Sequence, residues 1–393
     1  MIKYKNFYIG LLIVAFIFQI SKFYTFYEDY SDWQYADWLI NYQGGFIRRG
    51  LIGELLFKAH IFLSINLDVI VLFFIIFLYI ILTILLIKSL KFLDNSKIDT
   101  LIFLSPGFFI YPIMNSEVIG RKEILLFISL GLIVFFEKKI KDKYLILTIV
   151  LTILTLSLTH SGLLFFSPYL IFLYLLIKLE RQKKIKFTEI FIIIFSLLII
   201  FLLIFLNQGS KIQVIEICNS IKDFIKDDCL NRGQFLWLYN PVSEHIAVKL
   251  RSNFFENIFI YLPSLILVFL FISLKLYFSK FNTNNLYLNK INPLIVFFTL
   301  FTFTLPIYIL GYDWGRYISM SFFSSYFLYI FCIKNKNLIF SPIFFISDKI
   351  IPKKIFVIIV FIYAFTWTFP FYGASSFKYP LKKPFIQLQK ILF

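Results

Sequence analysis

The residue types that metal, redox and hydrolytic chemistry draw on are scarce in this 393-residue chain, which has three cysteines and three histidines. Three cysteines exclude a disulfide-rich scaffold. The histidines are scattered, and neither an HExxH nor a CxxC spacing occurs, so no metal signature is present and no cofactor is expected. A Gly-x-Ser-x-Gly elbow and a phosphate-binding P-loop are absent too, which leaves no serine-hydrolase or nucleoside-triphosphatase pattern. The sequence also lacks low-complexity tracts, clear internal repeats, a separate polar domain and the inverted halves common among transporters.

Acidic residues are in the minority, 22 against 39 Lys and Arg, for a formal charge of +17. In a soluble protein that excess would suggest nucleic acid. Here the lysines cluster between apolar runs and no nucleic-acid motif accompanies them, so membrane topology accounts for the charge and no nucleic-acid partner is expected.

Apolar residues dominate: 60% of the chain is hydrophobic, mean hydropathy is +0.84, and there are 54 Phe. Runs of about 17 to 22 apolar residues recur, the length that crosses a hydrocarbon layer roughly 30 Å thick. Barrel strands would be shorter and alternate in polarity. The expectation is an all-α polytopic integral membrane protein with about 11 transmembrane helices (10–12), forming a single transmembrane domain over residues 1–393. Met1 to Lys5 and the following apolar run resemble a signal sequence, but no small-x-small site follows, so an uncleaved first span is expected.

Lys3 and Lys5 place the N-terminus inside by the positive-inside bias, and the lysine clusters around residues 88–97, 138–143 and 178–186 mark further inner loops. The outer segments are then 27–67, which carries an amphipathic run from Leu51 to Ile65, the turn 115–123, the turn at His160, the large loop 207–257, and Gly311 to Arg316. Cys218 and Cys229 share the large loop and could either form a disulfide there or remain two thiols. A last span near Lys354 to Trp367 leaves the tail outside, against its Lys378, Lys382, Lys383 and Lys390. A twelfth span within Leu338 to Ile351 would bring it inside.

The organising stretch is Asn41-Tyr42-Gln43-Gly44-Gly45-Phe46-Ile47-Arg48-Arg49-Gly50. Gly44 and Gly45 permit a sharp turn and close approach to a ligand. Arg48 and Arg49 supply forked donors suited to phosphate oxygens, and a helix opening at Leu51 would aim its free N–H groups the same way. In a membrane protein this combination points to a lipid-linked diphosphate; the alternative is a pair of interface arginines meeting lipid headgroups.

Other unusual charges fall on the same outer face: Glu117 with Arg121 and Lys122, His160, and Asp313 with Arg316. Arginines gathered there run against the usual bias. Arg121 and Lys122 open a helix, where anions are favoured. Asp313-Trp314-Gly315-Arg316 joins a carboxylate, an aromatic face and a guanidinium, a set suited to sugar, although Trp314 also reads as an interface aromatic. His160 at a turn reads equally as structural or catalytic. The acids Glu28, Asp29, Asp32 and Asp37 alternate with Tyr30, Trp33, Tyr35 and Trp38, which suits carbohydrate or a solvated loop. As the base that deprotonates a sugar hydroxyl, Asp313 and Glu117 rank slightly ahead of Asp37.

These motifs together, Gly44-Gly45-Phe46-Ile47-Arg48-Arg49-Gly50, Gly120-Arg121-Lys122-Glu123, a His near a hairpin tip and Asp313-Trp314-Gly315-Arg316, resemble those of bacterial Wzy-type O-antigen polymerases. The resemblance covers the overall form of the chain, and about thirty residues carry the motifs. It implies a GT-C-like glycosyltransferase joining undecaprenyl-diphosphate-linked repeat units at the periplasmic face of the inner membrane. Arg48, Arg49, Arg121, Lys122 and Arg316 would hold diphosphate, a chain-length-determining copolymerase would be a partner, and membrane lipid would surround the protein. Some members carry matched Arg-rich repeats in two periplasmic loops, which Arg232 and Arg251 echo loosely. Two alternatives stand beside this one: a GT-C transferase making a single transfer from a lipid-linked donor, and a flippase of lipid-linked glycans.

Overall fold

The computed structural model describes residues 2–29, 33–93, 96–225, 229–231, 233–240, 254–341 and 351–371. Asp32, Arg232, Arg251, most of the stretch 338–351 and the lysines of the tail lie outside them.

The described chain is mostly helical, with almost no sheet. In order, the helices are α1 (Ile2–Glu28), α2 (Leu51–Leu63), α3 (Leu67–Ser89), α4 (Lys97–Phe103), α5 (Tyr111–Met114), α6 (Ile124–Phe136), α7 (Asp142–Thr159), α8 (Ser167–Glu180), α9 (Phe187–Leu206), α10 (Lys211–Ser220), α11 (Gly233–Tyr239), α12 (Phe254–Tyr277), α13 (Leu286–Lys290), α14 (Pro293–Thr302), α15 (Leu305–Leu310), α16 (Trp314–Lys334) and α17 (Lys353–Phe365). Two three-residue strands, β1 (Ser279–Phe281) and β2 (Leu338–Phe340), pair antiparallel with Lys280 opposite Ile339. Eight segments among the described residues are long and apolar enough to cross a membrane: Lys5–Glu28, Leu67–Ser89, Asp142–Thr159, Ser161–Glu180, Phe187–Leu206, Asn257–Tyr277, Pro293–Leu310 and Trp314–Lys334. The protein is an all-α multi-pass membrane protein. Three further segments expected as spans form shorter elements: the α4–α5 stretch is broken, and α6 and α17 have 13 residues each.

The chain divides into two compact units, one made of Met1–Ala15, Ile87–Val118 and Val248–Phe393, the other of Phe16–Leu86 and Ile119–Ala247. In the first, α16 is buried on all sides from Trp314 to Cys332. Its small polar residues permit close packing: Ser319 Oγ donates to the Gly107 carbonyl at 2.9 Å. Pro106 cannot continue α4, and the irregular backbone from Leu104 to Ile110 is wholly buried. Phe108 fills the space there, 4.4 Å from the Phe323 ring and 4.3 Å from that of Tyr326. An ion pair, Lys275 Nζ to Asp99 Oδ1 at 2.5 Å, is completed by Tyr329 Oη at 2.8 Å on Oδ1 and Ser96 Oγ at 2.8 Å on Oδ2.

In the second unit α9 is the opposite of α16. Only Ile193 and Ile200, seven residues apart and so on one face, are buried, while Phe191, Phe195, Phe201 and Phe205 are exposed. A 20-residue apolar helix with that pattern suits lipid on most of its circumference. Beside it, α7 packs against α8 and α2.

Candidate functional site

The second unit gathers the first polar loop around one carboxylate. Asp37 lies in the 3-10 turn Ala36–Leu39, where all four residues are buried. The turn is fixed by Trp38, whose Nε1 donates to the Gly120 carbonyl at 2.6 Å, while the Gly120 N–H donates to Tyr79 Oη at 2.9 Å. Gly120 has φ +76°, and a Cβ there would meet the Phe23 ring at 2.6 Å. That glycine lets the loop carrying Arg121 and Lys122 reach Asp37.

The arginine loop is held from three sides. Glu54 in α2 accepts from the Tyr42 N–H at 2.9 Å and from Gln43 Nε2 at 3.2 Å. Asn41 Nδ2 donates to Ser220 Oγ at 2.9 Å, and the Arg48 N–H to the Asn207 carbonyl at 3.1 Å. Gly44 abuts the backbone carbonyl of Gln213, so the close approach expected of this glycine is made to the chain's own α10. Arg48 reaches further and donates through Nη2 to the Trp237 carbonyl of α11 at 2.6 Å.

Around Asp37 stand Lys122, 3.4 Å from Oδ2, and Arg49, 3.7 Å from Oδ1. Lys122 Nζ also donates to the Thr159 carbonyl at 3.3 Å, and the Arg121 guanidinium lies 5.5 Å from the centre of the Trp33 ring. Arg49 Nη2 is 3.4 Å from His160 Nε2. His160 Nδ1 accepts from the Gly162 N–H at 3.2 Å, capping the 3-10 helix Ser161–Phe166.

The electrostatics follow from cations outnumbering carboxylates. Burial pushes the Asp37 carboxyl up, but Lys122, Arg49 and Arg121 outweigh it and hold the group below its ordinary range. Burial, aided by Arg49, brings the Lys122 ammonium down to about 8 against the pull of Asp37 and Glu123. Burial and Arg49 likewise lower Arg48 to about 10. At 3.7 Å the Arg49–Asp37 pair is too long for a hydrogen bond. Arg49 Nε and Nη1, Arg48 Nε and Asp37 Oδ1 accordingly have no hydrogen-bond partner among the described residues. Buried guanidinium donors without acceptors, in a cluster with surplus positive charge, are suited to a multivalent oxyanion.

No protein-family model, no curated protein and no solved structure matches this chain.

The other site residues read from the sequence, Glu117, Asp313, Trp314 and Arg316, belong to the first unit. Asp313 Oδ2 pairs with Arg316 Nη2 at 2.8 Å, and the Arg316 guanidinium lies over the rings of Tyr317 and Phe371, 5.5 and 5.9 Å from their centres. Trp314 is buried against Tyr261 and Tyr308 and donates Nε1 to the Tyr308 carbonyl at 2.8 Å.

Sequence reasoning missed Glu54, which pins the arginine loop, although its position four residues after Gly50 in the first turn of α2 was visible. It also missed Gln234 on α11. That side chain is fully buried, and neither its amide nitrogen nor its oxygen has a hydrogen-bond partner among the described residues, a state that costs about 1–3 kcal/mol per group. No sequence pattern signals it.

Proposed function

We propose that the protein is a glycosyltransferase acting on undecaprenyl-diphosphate-linked glycans, and specifically an O-antigen polymerase of about eleven spans and GT-C-like form, with its site facing the periplasm of the bacterial inner membrane. The observation that carries the reading is the cluster of Arg49, Arg121 and Lys122 around Asp37, with Arg48 beside Arg49 and buried Arg48 and Arg49 donors that lack acceptors among the described residues. The leaving group of such a transfer is a lipid diphosphate, and fixed cations stabilise the charge it develops without a metal. The bond between Cys218 and Cys229 suits an oxidising compartment and so supports the outward orientation of this unit.

Asp37 is the counter-ion of Lys122 and Arg49. A diphosphate competes for the same two cations. As it takes them over, the buried carboxylate loses what stabilises its charge and gains proton affinity, as a base for the attacking hydroxyl requires. Asp37 thereby moves ahead of Glu117 and Asp313 as proton acceptor.

The test is the banding of lipopolysaccharide from a strain carrying Arg49→Ala. Single-repeat molecules without long chains are expected, and normal long chains would overturn the assignment. A single-transfer enzyme would use the same cluster, and it is distinguished by product length: one added unit in place of a ladder.

A further inference from the structure

The polar group that the diphosphate reading leaves over is the Gln234 amide. It is fully buried on α11, and both of its hydrogen-bonding atoms lack partners among the described residues. Its helix neighbours lead to the cation cluster. Three residues along the same helix face, the Trp237 carbonyl holds Arg48. One residue before it, Gly233 lies against Trp33, over which Arg121 sits. The helix itself packs on the turn that carries Asp37.

We infer that Gln234 reads the sugar ring attached to the diphosphate. An amide supplies a donor and an acceptor side by side, so its match is a sugar group offering both, a pair of hydroxyls or an acetamido substituent. The inference rests on the proposed diphosphate site: the cations would hold the carrier's head, and Gln234 would add affinity only when the first sugar is present. A buried amide without partners lowers stability, as residues reserved for a ligand do.

The full chain in nanodiscs is titrated with undecaprenyl diphosphate and with the same carrier bearing N-acetylglucosamine or galactose. The parent protein should bind at least one glycosylated carrier about tenfold or more tightly than the bare one, the difference that one or two directed hydrogen bonds make. Gln234→Leu should bind the bare carrier as the parent does and lose the preference. Its thermal midpoint should equal or exceed the parent's, because an apolar side chain of similar size leaves no buried polar atom unpaired. A preference retained in Gln234→Leu, no preference in the parent, or a lower midpoint in the variant would each overturn the role of Gln234 while leaving the diphosphate site standing. Failure of the parent to bind even the bare carrier would overturn the diphosphate site, and this inference with it.

Discussion

Arg48 donates to the main-chain carbonyl of Trp237 across 189 positions of sequence. The bond joins the arginine loop to a short helix that follows the Cys218–Cys229 disulfide, and α10, α11 and the 3-10 turn Cys229–Asn231 pack on one another. The disulfide thus braces the carbonyl that orients Arg48.

Removing that brace should loosen the loop. The paired change Cys218→Ser with Cys229→Ser should lower stability by about 2–3 kcal/mol, the worth of closing a loop this short. Thermal melts of parent and variant, each with and without reductant, provide the check: the reductant-sensitive step should vanish in the variant.

Gly120→Val should be destabilising by about 2–4 kcal/mol. The position has φ +76°, and the added Cβ would run into the Phe23 ring. Since Gly120 also joins Trp38 to Tyr79, the displaced loop should move Lys122 from Asp37. Thermal melts measure the first effect, and the affinity for inorganic diphosphate measures the second.

The Lys275–Asp99 pair is buried, and Asp99 also accepts from Tyr329 and Ser96. Lys275→Met alone should cost about 3–5 kcal/mol by stranding a carboxylate, and adding Asp99→Asn should recover most of it. A double-mutant cycle on thermal or denaturant unfolding reads the coupling.

Anion affinity should depend on the protonation of Lys122. Its value of about 8 predicts that the affinity for inorganic diphosphate falls as pH rises through that point, and that Lys122→Arg removes the step. Stability moves the other way. The folded value lies below the 10.5 of free lysine, so between the two the unfolded chain holds a proton that the folded chain has released, and stability rises with pH across that window. The parent should show this rise in thermal midpoint and Lys122→Met should not. Asp37 behaves in the usual carboxylate sense: its lowered value adds stability at neutral pH that is lost as pH falls through the folded value.

Much of the architecture was written in local sequence. Runs such as Phe187 to Leu206 specify spanning helices because a helix satisfies its own backbone hydrogen bonds, and hydropathy reports this residue by residue. Arg48, Arg49, Arg121, Lys122 and His160 stood out for the same local reason, charge at the ends of apolar runs. The sequence reading put Asp313 and Glu117 slightly ahead of Asp37, because it cannot see which cations fold back to meet each carboxylate. Nor could it show that Gly44 meets Gln213, that Lys275 finds Asp99, or that Gln234 is buried without a partner. Those are contacts between residues far apart in the chain. They carry no periodicity and no spacing, and only the packing of helices against one another decides them.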